Sequence, residues 1–238
     1  MNHLLEQHEA WRATRLAELT KADGWLTLVG LVWLDDGSHR LGSAAGCDVE
    51  LPGVPAELGT LRVAGNTAEW LATDGAAKVL QTDIGGAPTV IGHGSTSFFL
   101  IERDGRIALR VRDAASATRR NFTGIDCFAF DPAWRIETRW DGAQARFSLN
   151  GSDYTLRPQS PDANPLHFVI ADASSGRESY GGGRFLHVAA PQGNMLLLDF
   201  NRAINPPCAF TPFAVCPLPP AANRLPFAVT AGEKTWRG

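Results

Sequence analysis

The chain has 238 residues, 44% of them hydrophobic and 20% charged, with a net charge of −3 and a pI near 6.1. That is apolar material for one large β domain or two small ones. The acidic balance excludes the basic stripe that non-specific nucleic-acid or membrane-surface binding needs, so neither partner is expected.

Residues 3–20 read as a helix, with Leu4, Leu5, His8, Trp11, Leu16 and Leu19 near one face and Gly24 as its stop. This helix is expected to dock Trp11 on a β body. Its charges at Glu6, Glu9, Arg12, Arg15 and Glu18 take the place of the apolar core of a signal peptide. No apolar run approaches the ~20 residues of a membrane-spanning helix. The expected setting is the cytoplasm, where Cys47, Cys127, Cys208 and Cys216 are thiols.

From Trp25 onward strand signals dominate. Residues 25–34 form a long β-prone run, and short strands recur at His39, Asp48, Leu61, Ala68 and Ala77, divided by Gly, Asp and Pro. Asp104-Gly105, between two β-prone arms, predicts a two-residue hairpin. In the second arm Ile107, Leu109 and Val111 alternate with Ala108, Arg110 and Arg112, one face buried and one polar. The alternation lapses over residues 114–123 and resumes in runs starting at Ile125, Trp134, Ala145, Tyr154 and Leu166. The expected fold is all-β, a sandwich or barrel-like body with one N-terminal helix. The expected division is a helix to residue 22, a first β half over 23–115 and a second over 116–238, with one continuous domain as the alternative.

Two resemblances attach to particular residues. Gly37, Leu41-Gly-Ser43, Cys47-Asp-Val-Glu-Leu-Pro52 and Gly59-Thr-Leu61 resemble the opening of a forkhead-associated domain, which implies a sandwich-like first half. Ser43 stands where that family's phosphate-reading arginine would be, and its Ser-x-x-His is missing, so phosphothreonine reading is not implied. The second resemblance is to the bacterial domain-of-unknown-function family 1684. It rests on Gly24-Trp-Leu-Thr-Leu-Val-Gly-Leu31, Ser179-Tyr-Gly-Gly-Gly-Arg-Phe-Leu186, Leu198-Asp-Phe-Asn-Arg-Ala203, Asn205-Pro-Pro-Cys-Ala-Phe210, Cys216-Pro-Leu-Pro-Pro220 and Ala231-Gly-Glu-Lys234. It implies a cytoplasmic bacterial protein and brings no activity, cofactor or catalytic residue.

Candidate chemistry gathers in residues 172–234. Gly181, Gly182 and Gly183 let the backbone approach another object closely, with Tyr180 and Arg184 beside them. The apolar run at Met195 to Leu198 ends in Asp199, Asn201 and Arg202. Six prolines between Pro206 and Pro220 then stiffen a segment rich in Phe, Ala and Val, a candidate pocket wall. No cofactor is expected, since neither a Walker nor a dinucleotide pattern is present. No metal is expected either, because the Cys208 and Cys216 spacing is not that of a zinc site. A nucleophilic Cys208 with His167 or His187 as its base lacks any protease signature.

Three readings follow. One is a module binding a small anionic metabolite through Tyr180, Arg184, Asn201, Arg202 and Arg224, since arginine forks match carboxylates and phosphates. The second is a hydrolase-type enzyme with Asp199 or Glu233 as general base. The third is a scaffold in which the polar cluster only braces the Pro-rich segment.

Overall fold

The computed structural model describes residues 2–238. Its element order is α1 (Asn2–Leu19), β1 (Leu28–Trp33), β2 (Gly37–Gly42), β3 (Val49–Glu50), β4 (Gly59–Ala64), β5 (Thr67–Ala72), β6 (Ala77–Leu80), β7 (Ile91–His93), β8 (Thr96–Arg103) and β9 (Arg106–Asp113). A four-residue helix α2 (Ala117–Arg120) follows. Then come β10 (Arg135–Trp140), β11 (Ala145–Leu149), β12 (Ser152–Leu156), β13 (Leu166–Ile170), β14 (Arg184–Val188) and β15 (Met195–Asp199). The protein is all-β with one long N-terminal helix, and none of its sheets closes into a barrel. No helix among the described residues is long and apolar enough to cross a membrane.

The chain divides into two compact units, Leu19–Phe122 and a second that joins Thr123–Gly238 to the helix residues up to Glu18. The first unit is a sandwich. One sheet has the order β1-β9-β8-β7 and the other β3-β2-β4-β5-β6. Leu41, Leu61 and Trp70 from one sheet meet Phe98, Leu100 and Leu109 from the other in a single core. The β8–β9 hairpin turns through Asp104 and Gly105 at φ of 52° and 71°, the primed turn that the Asp-Gly pair predicts. The run at Trp25 begins as a 3₁₀ turn (Trp25–Thr27), where the Thr27 hydroxyl donates to Gly24 O at 2.6 Å, and becomes strand only at Leu28.

The second unit packs the sheet β12-β11-β10-β15 with the two-stranded sheet β13-β14. Period-two alternation decides the faces. Leu196 and Leu198 of β15, Leu186 and Val188 of β14, and Phe147 of β11 turn into one core, while Met195 and Leu197 face outward. Asn150 and Gly151 make a second primed turn between β11 and β12. The run at Ile125 is not a strand. Its pairing is a bridge from Cys127 to Glu233 and a bond from Phe128 N–H to Gly232 O.

Helix α1 docks on this second unit through fewer apolar groups than its sequence suggests. Leu5 stays 40% exposed, and the contacts include His8, stacked on Trp11 and tilted against Phe130, Trp11 beneath the Arg202 guanidinium, and Arg15. Arg15 Nε donates to Glu233 Oε1 at 3.0 Å and Nη2 to Asn205 O at 3.1 Å.

Candidate functional site

The end of β15 is built by cross-strand register. Arg135 stands directly opposite Asp199 on the outward face, so guanidinium and carboxylate meet, with Arg135 Nη1 at 2.7 Å from Asp199 Oδ2. Asp199 also caps the 3₁₀ turn Phe200–Arg202, accepting at Oδ1 from Asn201 N–H at 3.2 Å and Asn201 Nδ2 at 3.0 Å. That turn swings Arg202 back until its Nε lies 3.6 Å from the same Oδ2, with the guanidinium over Trp11. Two arginines therefore share one carboxylate here, while Glu137, two residues further along β10, adds a second carboxylate to the same lining. Arg202 Nε is buried and makes no hydrogen bond.

This cluster forms one end of a cleft of about 470 Å³ within the second unit. One wall is His187, Val188, Ala189, Ala190 and Gln192. The other is Met195, Leu196, Leu197 and Asp199, backed by Arg135 and Glu137, with Gln7 of α1 and Arg202 at the rim. His187 stacks on His167 with ring centroids 4.6 Å apart. Burial, with His187 alongside, pushes the His167 imidazole down to about 4. Burial and the nearby Arg15 also lower that of His187, so both rings are neutral at pH 7.

Arg184 lies in a different, sealed network. Its side chain has no exposure. Nη2 donates to Asp172 Oδ2 at 2.8 Å and Val229 O at 3.0 Å, while Nη1 donates to Ala231 O at 2.5 Å and Glu233 O at 3.4 Å. Burial opposes the charge on Asp172, but Arg184 and the Ser174 donors hold its carboxyl below the usual range. The arginine stitches the C-terminal tail to β14 and keeps no donor at the cleft.

Tyr180 donates from its hydroxyl to Cys208 O at 3.1 Å, and burial with this bond pushes its phenol up to about 12. It ties the glycine turn to the Pro-rich segment. The glycines serve the same contact. A Cβ on Gly183, at φ +90°, would lie 2.5 Å from Ile170 O and 2.6 Å from the Pro219 ring. The close approach that Gly183 permits is thus to the chain itself. The Pro-rich segment contributes no residue to the cleft.

The three asparagines of the motifs act as staples. Asn201 accepts from Asp131 N–H at 3.0 Å and donates to Asp131 O at 2.9 Å, and Asn223 grips Arg157 in the same two-way manner. Asn205 Nδ2 donates to Lys234 O at 2.7 Å. Glu233 is buried, paired with Arg15, and accepts from Asn205 N–H at 2.6 Å. Arg224 points to solvent, its backbone bridged to Ala171.

Of the residues singled out by sequence, then, Asp199, Asn201 and Arg202 come together, Glu233 meets Asn201 across a second small cavity beside Arg15, and Tyr180, Arg184 and Arg224 lie elsewhere. Arg135 and Glu137 line the cleft without having been picked out, because only strand register places them there, while His187, considered above only as a base for Cys208, lines it as well. Their one signal was position in β-prone runs.

The class so defined is an all-β protein whose second unit carries an open amphipathic cleft beside a sealed arginine network. Residues 141–234, most of that unit, match the model of a family described as a protein of unknown function, DUF1684. The motif at residues 24–31 lies outside the matched segment. A solution structure of an uncharacterized protein from gene locus rrnAC0354 of Haloarcula marismortui is 31% identical over 50% of this chain and 80% of that one, with a TM-score of 0.42. No curated protein matches the chain.

Proposed function

We propose that the second unit binds a small anionic molecule in the cleft, its negative group at Arg202 and Arg135 and its apolar part on the outward-facing Leu197 and Met195. The observation that carries this is the pair of arginines sharing Asp199 at the end of an amphipathic trough. Guanidinium groups that already face a cavity lose little side-chain freedom on taking a carboxylate, which favours binding. The catalytic reading with Asp199 or Glu233 as base is less well supported. Each carboxylate already accepts from an arginine and from amide donors, so its oxygens are engaged in holding the fold. A cytoplasmic setting belongs to the same proposal and is supported by four free thiols, Cys208 N–H bonding to Cys216 Sγ at 3.3 Å.

Thermal melting with acetate, butyrate, hexanoate, octanoate and inorganic phosphate tests this. The expected result is a rise in melting temperature that grows with chain length and vanishes in Arg202→Ala. Equal stabilisation of wild type and Arg202→Ala, or none by any anion, would refute it.

A further inference from the structure

The cleft is lined by consecutive residues, Val188 to Ala190 on one wall and Met195 to Leu197 on the other. Side chains of a strand alternate, so a cavity that touches consecutive residues meets the strand's edge as well as its face. The hydrogen-bond pattern agrees. Phe185 exchanges both main-chain bonds with Ile204, at 2.8 and 2.9 Å, on the side of β14 away from β13. Alternation then turns the N–H and C=O of His187 to that same side. The partner strand shows the complementary phase, since His167 O accepts from Gln159 N–H and Val169 O from Asn223 Nδ2, both away from β14.

On β15 the phase is fixed by Asn194 O, which accepts from Trp140 N–H, and Leu196 O, which accepts from Thr138 Oγ1; both point to β10. Met195 instead exchanges bonds with Gln192 at 2.9 and 3.1 Å, so Leu197 also turns its amide groups away from β10. β14 and β15 are thus two arms joined at the tip by Gln192–Met195 and at the base by Phe185–Ile204. Between those ties they do not pair, and Pro191 brings no donor. The main-chain groups of His187 and Leu197 face the gap from opposite sides. Two open strand edges are a template for another backbone.

Resting on the anion reading above, we propose that the ligand class is a short peptide with a free C-terminal carboxylate. The carboxylate sits on Arg202 and Arg135, and the peptide's own N–H and C=O groups pair with the main chain at His187 and Leu197. Its apolar side chains lie over the outward-facing Leu197 and Met195. Charge complementarity fixes the direction, because both arginines stand at the Asp199 end of the gap while Glu137 stands opposite Leu197, nearer the Gln192–Met195 tip. Main-chain pairing supplies affinity, while the carboxylate clamp selects chain ends.

The test uses the full chain and three probes of similar length: N-acetyl-Ala-Val-Leu with a free carboxylate, the same peptide as its C-terminal amide, and octanoate. Calorimetric titration is expected to show the acid peptide binding at least tenfold more tightly than either other probe. Amide proton NMR is expected to shift His187 and Leu197 N–H downfield with the acid peptide. Octanoate binding as tightly as the peptide would overturn the peptide inference and leave the anion reading standing. An amidated peptide binding equally would overturn the carboxylate clamp, and no binding by any probe would overturn both. Peptide-induced shifts confined to other amides would also refute the pairing.

Discussion

Arg184 and Arg202 flank the same strand pair, one at the start of β14 and the other just past the end of β15, yet their surroundings are opposite. Arg184 is wholly enclosed and gives its terminal nitrogens to one carboxylate and three carbonyls. Arg202 leaves 37% of its side chain exposed and shares a carboxylate that Arg135 already neutralises. A buried guanidinium with fixed partners is a structural tie. One at a cavity rim with a second-hand partner has charge to offer a ligand. The difference teaches that the residue type alone assigns neither role; the count of donors already satisfied does.

The largest effect is expected where the tie is cut. Arg184→Ala removes the partner of a buried Asp172 and strands three carbonyls, which should cost about 3–5 kcal/mol. Urea unfolding would show it, with the milder Asp172→Asn measured in its place if Arg184→Ala fails to fold. A loss below about 1 kcal/mol in both variants would erase the contrast.

Next in size is a pH effect carried by the stacked histidines. The folded state holds His167 at about 4, below its unfolded value near 6.5, so protonation favours the unfolded chain. The stability from the neutral ring is therefore complete above about pH 6.5 and falls as pH drops toward 4, by up to about 3 kcal/mol. Urea midpoints at pH 7.5, 5.5 and 4.5 should decline in that order. His167→Phe should flatten the decline, and an unchanged slope in that variant would assign the acid sensitivity to other groups.

The legibility of the sequence followed the range of the interaction involved. Asp104-Gly105 predicted its hairpin because a primed turn is decided by two adjacent residues. Asn150-Gly151 carries the same signal in the gap between the runs read at Ala145 and at Tyr154. The apolar β15 and its polar end were readable for the same local reason. The partners of that end were not. Arg135 meets Asp199 only because β10 pairs with β15, and Arg184 meets Asp172 only because a glycine turn folds back. The Pro-rich segment looked like a pocket wall because rigidity and apolarity suit one, yet the same properties let Pro219 close on Gly183. Stiffness told that the segment packs, and not what it packs against.

The smallest stability effect should fall at Arg202 and is the most informative. Arg202→Ala leaves Asp199 with Arg135 at 2.7 Å and both Asn201 donors, so no buried charge is orphaned. Its Nε stands 3.6 Å from the carboxylate on a partly exposed side chain, a geometry worth about 0–1 kcal/mol. The guanidinium over the Trp11 ring adds a contribution of similar size. The melting temperature of the free variant should therefore move by only a few degrees. Arg135→Ala should cost more, because it takes the closer partner from Asp199. If both variants lose the same stability, the two arginines are equivalent braces. If Arg202→Ala alone leaves the fold intact while abolishing stabilisation by octanoate or the acid peptide, the rim arginine serves the ligand, and the contrast with Arg184 is one of function.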